Sequence, residues 1–171
     1  MCVSAEEYKI QLNQSAFGLP LSATKKEYIE KLGSPDGEIK MGIGRVGLLY
    51  GQNLMLIFWN NKLWEVQIWE GKPIDALGYV RNGREKTPIK IIINNAIMIG
   101  ADKETLAGVI KNAEGVEIDD LGVYIKKGNS ILRSKFTRYD DEILNSGDRR
   151  VKKLTSIQVR FDQNMPMTKN N

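Results

Sequence analysis

The sequence predicts an α+β fold of two tandem units, each a helix packed on an antiparallel β-meander, with the two sheets side by side. Three observations lead there. From Arg45 to Trp69, apolar segments are separated by two tight-turn pairs, Gly51-Gln52 and Asn60-Asn61, which reads as three consecutive antiparallel strands. A capped helix precedes that meander. The same order of elements then returns in the second half of the chain, with Gly47 matched by Gly122 and Gly51 by Gly128.

Taken in order, residues 7–13, EYKIQLN, alternate as a short strand, and QSAFGLPLSA follows as a loop. Thr24 stands three residues before Glu27, a capping box opening the helix TKKEYIEKL. Tyr28, Ile29 and Leu32 form its apolar stripe, and Gly33 with Ser34-Pro35 ends it. Asp36 to Gly44 is a loop leading into the meander. Two-residue turns place Tyr50 opposite Asn53, Leu48 opposite Met55, Ile57 opposite Trp64, and Trp59 opposite Lys62. One face then carries Val46, Leu48, Tyr50, Met55, Ile57, Trp59, Trp64, Val66 and Ile68. The other carries Leu49, Leu54, Leu56, Phe58, Leu63, Glu65, Gln67 and Trp69.

In the second half, PIKIIIN at 88–94 corresponds to the opening strand, and Asp102 caps the helix DKETLAGVIKNA, which Gly115 stops. LGVYIKKGNSILRSKF and KLTSIQVRF complete the meander. Between them, Thr137 to Arg150 is a polar and charged hairpin insertion. The expected division is therefore a first unit at 1–75, a linker at 76–87, a second unit at 88–161 with its insertion at 137–150, and a disordered tail at 162–171. In the second unit Leu132, Ile157, Val159 and Phe161 alternate with Arg133, Lys135, Gln158 and Arg160. Mapped onto the first unit, the helix-covered face is expected to hold Met55, Ile57, Trp59, Val66 and Ile68. The opposite face is expected to be open.

Composition narrows the function classes. The chain has 171 residues, 42% hydrophobic and 27% charged, as in an ordinary soluble protein. There is no apolar run of membrane-spanning length, and the opening MCVSAEEYK carries no secretory leader, so a cytoplasmic location is expected. A lipidated Cys2 in a truncated precursor is the alternative. One cysteine allows no internal disulfide and no cysteine-rich zinc site. With no histidine, the usual general base, the Ser-His and Cys-His pairs and most transition-metal sites are missing. No catalytic residue, metal or cofactor is expected. The net charge of +4 permits nucleic-acid contact without demanding it.

Three motifs receive a structural reading. Gly42, Gly44 and Gly47 spell G-x-G-x-x-G, but a strand follows where a dinucleotide site needs a helix. Asp119-Asp120 and Asp140-Asp141-Glu142 lack calcium-loop spacing and read as solvated loop charge. Trp59 and Trp64 read as core. By contrast, Leu54, Leu56, Phe58, Leu63 and Trp69 form an apolar patch on the open face, the mark of a protein interface or of a self-covered surface. Tyr124, Arg133, Lys135, Gln158 and Arg160 continue that face as a polar to basic region, and Tyr139 sits in the insertion as a gripping-loop residue.

The helix and meander, with Leu32-Gly33-Ser34-Pro35, Leu49-Tyr50-Gly51, Leu54-Leu56-Phe58, and Lys62-Leu63 with Val66 and Ile68, resemble the BamE (SmpA/OmlA-like) domain. Two such units look like the tandem architecture of β-lactamase inhibitory proteins, which grip a partner on an open, concave sheet face. The chain departs from them in lacking disulfides and a leader. The resemblance implies a binding-only protein, such as an immunity protein of a polymorphic toxin system. The expected function is therefore steric occlusion of one toxin or enzyme with an acidic surface. Its apolar anchor would be Phe58, Leu63 and Trp69, steered by Arg133, Lys135 and Arg160. Nucleic-acid binding and a lipoprotein-type envelope assembly factor are the alternatives; the oligomeric state stays open.

Overall fold

The computed structural model describes residues 9–51, 53–69, 92–93, 101–110, 115–119, 121–138 and 152–162. The elements run β1 (Lys9–Gln11), β2 (Ser15–Ala16), β3 (Leu19–Pro20), α1 (Lys25–Leu32), β4 (Gly37–Lys40), β5 (Arg45–Tyr50), β6 (Leu54–Trp59) and β7 (Lys62–Trp69). They continue with β8 (Ile92–Ile93), α2 (Lys103–Ile110), β9 (Val116–Ile118), β10 (Val123–Lys127), β11 (Ser130–Arg138) and β12 (Lys152–Phe161).

Local chemistry sets both helices. The Thr24 hydroxyl accepts from the Glu27 amide at 3.3 Å, and the Glu27 carboxylate accepts from the Thr24 amide at 2.7 Å. The Thr24 amide and, at 2.7 Å, the Thr24 hydroxyl both donate to that carboxylate, favour its charged form and hold Glu27 below its usual range. Gly33, at φ 89°, closes the helix by donating to the Ile29 carbonyl. At α2, the Asp102 carboxylate accepts from the Thr105 amide at 2.7 Å.

The protein is mostly β, and the expectation of two helix-on-meander units is corrected. Strands β4-β5-β6-β7-β12-β11-β10-β9, in that order, form one eight-stranded antiparallel sheet. Its two halves join through β7 and β12, which pair from Ser156↔Trp69 to Arg160↔Glu65. A smaller sheet, β3-β2-β1-β8, contains the parallel pair β1–β8. One core cluster unites all of this: Ile10, Leu12, Phe17, Tyr28 and Leu106 pack with Leu48, Leu54, Phe58, Val66, Leu132, Val159 and Phe161. Both helices and the small sheet therefore lie on the same side of the large sheet. Polar contacts add to the union. The Asn13 amide donates to the buried Ser130 hydroxyl at 2.7 Å, and the Asn13 side-chain oxygen accepts from the Asn129 amide at 3.3 Å.

The stretch QSAFGLPLSA is also more than a loop. It makes the hairpin β2–β3, with Phe17 (φ 57°) and Gly18 (φ 77°) at its turn, and Ala16, Phe17, Leu21 and Ala23 enter the core. The segment Pro73–Pro88, the insertion beyond Arg138 and the tail beyond Asp162 lie outside the described residues.

Candidate functional site

The faces of the first half differ from the expected ones at two places. Three residues rather than two lie between the paired Tyr50 and Leu54, so Leu48 meets Leu56 and not Met55. A one-residue slip exchanges the faces of a strand. The Asn60-Asn61 turn is as tight as expected, both residues having positive φ (46° and 66°) and Trp59 facing Lys62. A bulge then shifts the register between Ile57 and Phe58: Phe58 pairs with Leu63, but Ile57 pairs with Glu65. The extra residue, Trp64, lets Leu63 and Val66 share one face despite their odd spacing.

The proposed apolar patch is corrected accordingly. Leu54, Leu56, Phe58 and Leu63 lie in the core that contains α1, Phe58 at 1% exposure and Leu63 at 0%. Phe58 meets the Tyr28 ring edge-on, with centroids 5.5 Å apart. Met55, Ile57 and Trp59, expected beneath the helix, face the other way. There Leu49, Met55, Ile57 and Trp64 form a second buried cluster, with Ile39, Met41, Trp59 and Trp69 partly exposed around it.

The second half keeps its expected alternation. Leu132, Ile157, Val159 and Phe161 are buried, while Arg133 and Lys135 are exposed and Tyr124, Gln158 and Arg160 are half-buried. Pairing sets these outward side chains in rows across the sheet. One row runs Glu117–Tyr124–Arg133–Gln158–Gln67, and a parallel one places Lys135 beside Ser156 and Ser156 beside Trp69. Of the residues expected at an interface, the structure brings Trp69, Tyr124, Arg133, Lys135 and Gln158 together. Arg160 lies beside them but is committed elsewhere. Its Nε sits 3.4 Å from the Glu65 carboxylate, and its guanidinium lies 4.9 Å from the Trp64 ring centre. Glu65, only 2% exposed, also accepts from the Gln67 side-chain amide. Tyr139 lies outside the described residues.

Sequence reasoning missed Arg45, whose guanidinium stands 5.9 Å from the rings of both Trp59 and Trp64. It also missed a hollow of about 490 Å³ over β9–β12, with Glu117, Asp119, Leu121, Tyr124, Arg133, Lys135, Ser156 and Gln158 around it. Its rim is the turn between β9 and β10. There the Asp119 carboxylate accepts from the amides of Leu121 and Gly122 at 2.7 and 2.8 Å, leaving the Leu121 side chain 73% exposed. The signal available in the sequence was Asp119 followed by Leu121-Gly122, an Asx-turn pattern.

Among the described residues, no group of three or more acidic, cysteine or histidine side chains is placed to hold a metal ion. No helix among them is long and apolar enough to cross a membrane. No protein-family profile and no curated protein matches the chain. Two solved structures are similar to it. One is a cysteine-rich secretory protein from Staphylococcus aureus, at 11% identity and a TM-score of 0.45, covering 82% of this chain and 45% of that one. The other is an extracellular protein containing an SCP domain from Bacillus anthracis, at 12% identity and a TM-score of 0.39, covering 88% and 51%. The chain spans about half the length of each. The resemblance to BamE-type domains and β-lactamase inhibitory proteins is thereby corrected. Neither comparison returns such a protein, and the continuous sheet replaces the tandem units on which it rested.

Proposed function

We propose that the chain is a non-enzymatic protein-binding protein whose partner lies on the outward face of the large sheet and is occluded there sterically. The observation that carries this is the contiguous outward surface of Trp69, Gln158, Arg133, Lys135 and Tyr124 across four paired strands. Strand pairing fixes their spacing, so little backbone order need be lost on binding. Tryptophan, tyrosine and arginine are the side chains that anchor interfaces most often. The cations favour a partner with an acidic surface, and their main effect would be on steering and selectivity.

Photo-cross-linking tests the reading. Benzoylphenylalanine at position 69 or 158 should trap one and the same protein in cells making the chain. At position 26, on the solvent side of α1, it should not. A cross-link at 26 alone, or none anywhere, would sink the proposal. In the same cells Trp69→Ala should abolish the cross-link from position 158 while shifting the melting temperature little, since Trp69 is only partly buried. Phe58→Ala cannot serve as a surface test, because Phe58 belongs to the core.

A further inference from the structure

We infer that the hollow over β9–β12 receives an acidic peptide segment, seating a carboxylate between Arg133 and Lys135. This rests on the protein-binding role and names the chemistry of the bound segment. The hollow's volume, about 490 Å³, lies within the roughly 300–1,000 Å³ range of ligand sites. Its two cations are uncommitted: among the described residues neither Arg133 nor Lys135 forms an ion pair. The Arg133 guanidinium lies 6.0 Å from the Tyr124 ring centre. An arginine at this distance over a ring keeps its planar fork of N–H donors available for a carboxylate.

The opposite bank decides between a peptide and a nucleic acid. Glu117 faces Tyr124 from β9, two strand spacings from Arg133, or roughly 10 Å. Asp119 holds the adjoining turn. A peptide can satisfy both banks, with an acidic side chain toward β11 and backbone N–H groups toward Glu117. A phosphodiester strand would set negative charge against both carboxylates. Among the described residues lining the hollow it would also find a single aromatic, Tyr124, where single-stranded binders use several. The exposed Leu121 side chain at the rim supplies an apolar contact that a peptide can use.

The test uses the full chain and fluorescence anisotropy at moderate salt. Its probes are a fluorescent peptide of alternating glutamate and glycine, the same peptide with glutamine for glutamate, and an oligothymidylate. The glutamate peptide should bind about tenfold or more tightly than its glutamine twin, the loss expected for charge-assisted hydrogen bonds. Arg133→Glu and Lys135→Glu should each remove that binding, whereas Lys26→Glu on α1 should not. Both hollow residues are exposed, so circular dichroism should show an unchanged fold. Equal binding of the two peptides, indifference to Arg133→Glu, or preference for the oligonucleotide would overturn the inference. If the cross-links from positions 69 and 158 persist in that case, the failure is confined to the acidic ligand. If they are absent as well, the protein-binding reading fails with it.

Discussion

Tyr28 packs its ring edge-on against Phe58, yet its buried hydroxyl has no hydrogen-bond partner among the described residues. An unpaired hydroxyl in the core costs more than the ring's burial requires. Tyr28→Phe should therefore raise stability by about 1 kcal/mol, read as a higher urea midpoint at unchanged slope. Tyr50 is the contrasting case, because its hydroxyl donates to the Gly33 carbonyl at 3.2 Å. Burial pushes its phenol up to about 12, and the Asp36 carboxylate adds to the rise. The native phenol thus keeps its proton where the unfolded chain has released it. Its contribution to stability is full below about pH 10 and falls between pH 10 and 12. Burial of Tyr28 acts in the same direction. In Tyr50→Phe the fall of the denaturation midpoint across pH 10–12 should be shallower than in the parent. Gly122 is constrained by contact: a Cβ there would lie 1.9 Å from the Ser134 carbonyl oxygen. Gly122→Ala should cost about 1–3 kcal/mol in chemical denaturation, through the shift forced on β10 or β11.

At the scale of elements, the bulge in the β6–β7 hairpin arranges the outward face. It turns Trp64 toward Trp59, with ring centroids 5.4 Å apart at 89°, and aims Glu65 at Arg160 on the neighbouring strand. The Glu65 carboxylate is buried while Arg160 is about one-third exposed, so solvent screens only one end of the pair. Glu65→Ala strands a half-buried guanidinium and should cost about 2 kcal/mol. Adding Arg160→Ala should cost less than the sum of the single changes, as measured in a double-mutant cycle. An additive result would show that the pair contributes no coupling across the β7–β12 seam.

For the whole molecule, one apolar cluster runs from β1 and α1 through the large sheet to α2 and β12. The Asn13–Ser130 hydrogen bond ties the N-terminal segment to the β10–β11 hairpin across 117 positions of chain. Two independent units would melt separately. This arrangement should unfold in one transition, with tryptophan fluorescence reporting the first half and amide exchange in β11–β12 reporting the second at the same midpoint. Ser130→Ala removes the acceptor of the Asn13 amide and should lower both midpoints together, by about 0.5–1.5 kcal/mol. Separate midpoints would contradict the shared core.

Residues acting on near neighbours were legible in the chain itself. The Thr24–Glu27 box, the Gly33 stop, the Asp102 cap and the Asn60-Asn61 turn each involve a few adjacent positions and standard backbone geometry. The outward alternation of Arg133, Lys135 and Gln158 was legible too, because β11 and β12 are regular over those residues. The bulge at Trp64 was not, since an extra residue in an apolar strand leaves the composition looking the same on either face. Nor was the joining of β7 to β12, a pairing between positions some 90 residues apart that no local pattern encodes. Local sequence thus determined both helices and the strands of the two meanders, but not β4, read as loop, nor the short strands β2, β3 and β9. Only the tertiary structure decided that Phe58 and Leu63 go inward, because the side a residue occupies depends on hairpin register, set here by a three-residue turn and a bulge, and on the face that α1 covers.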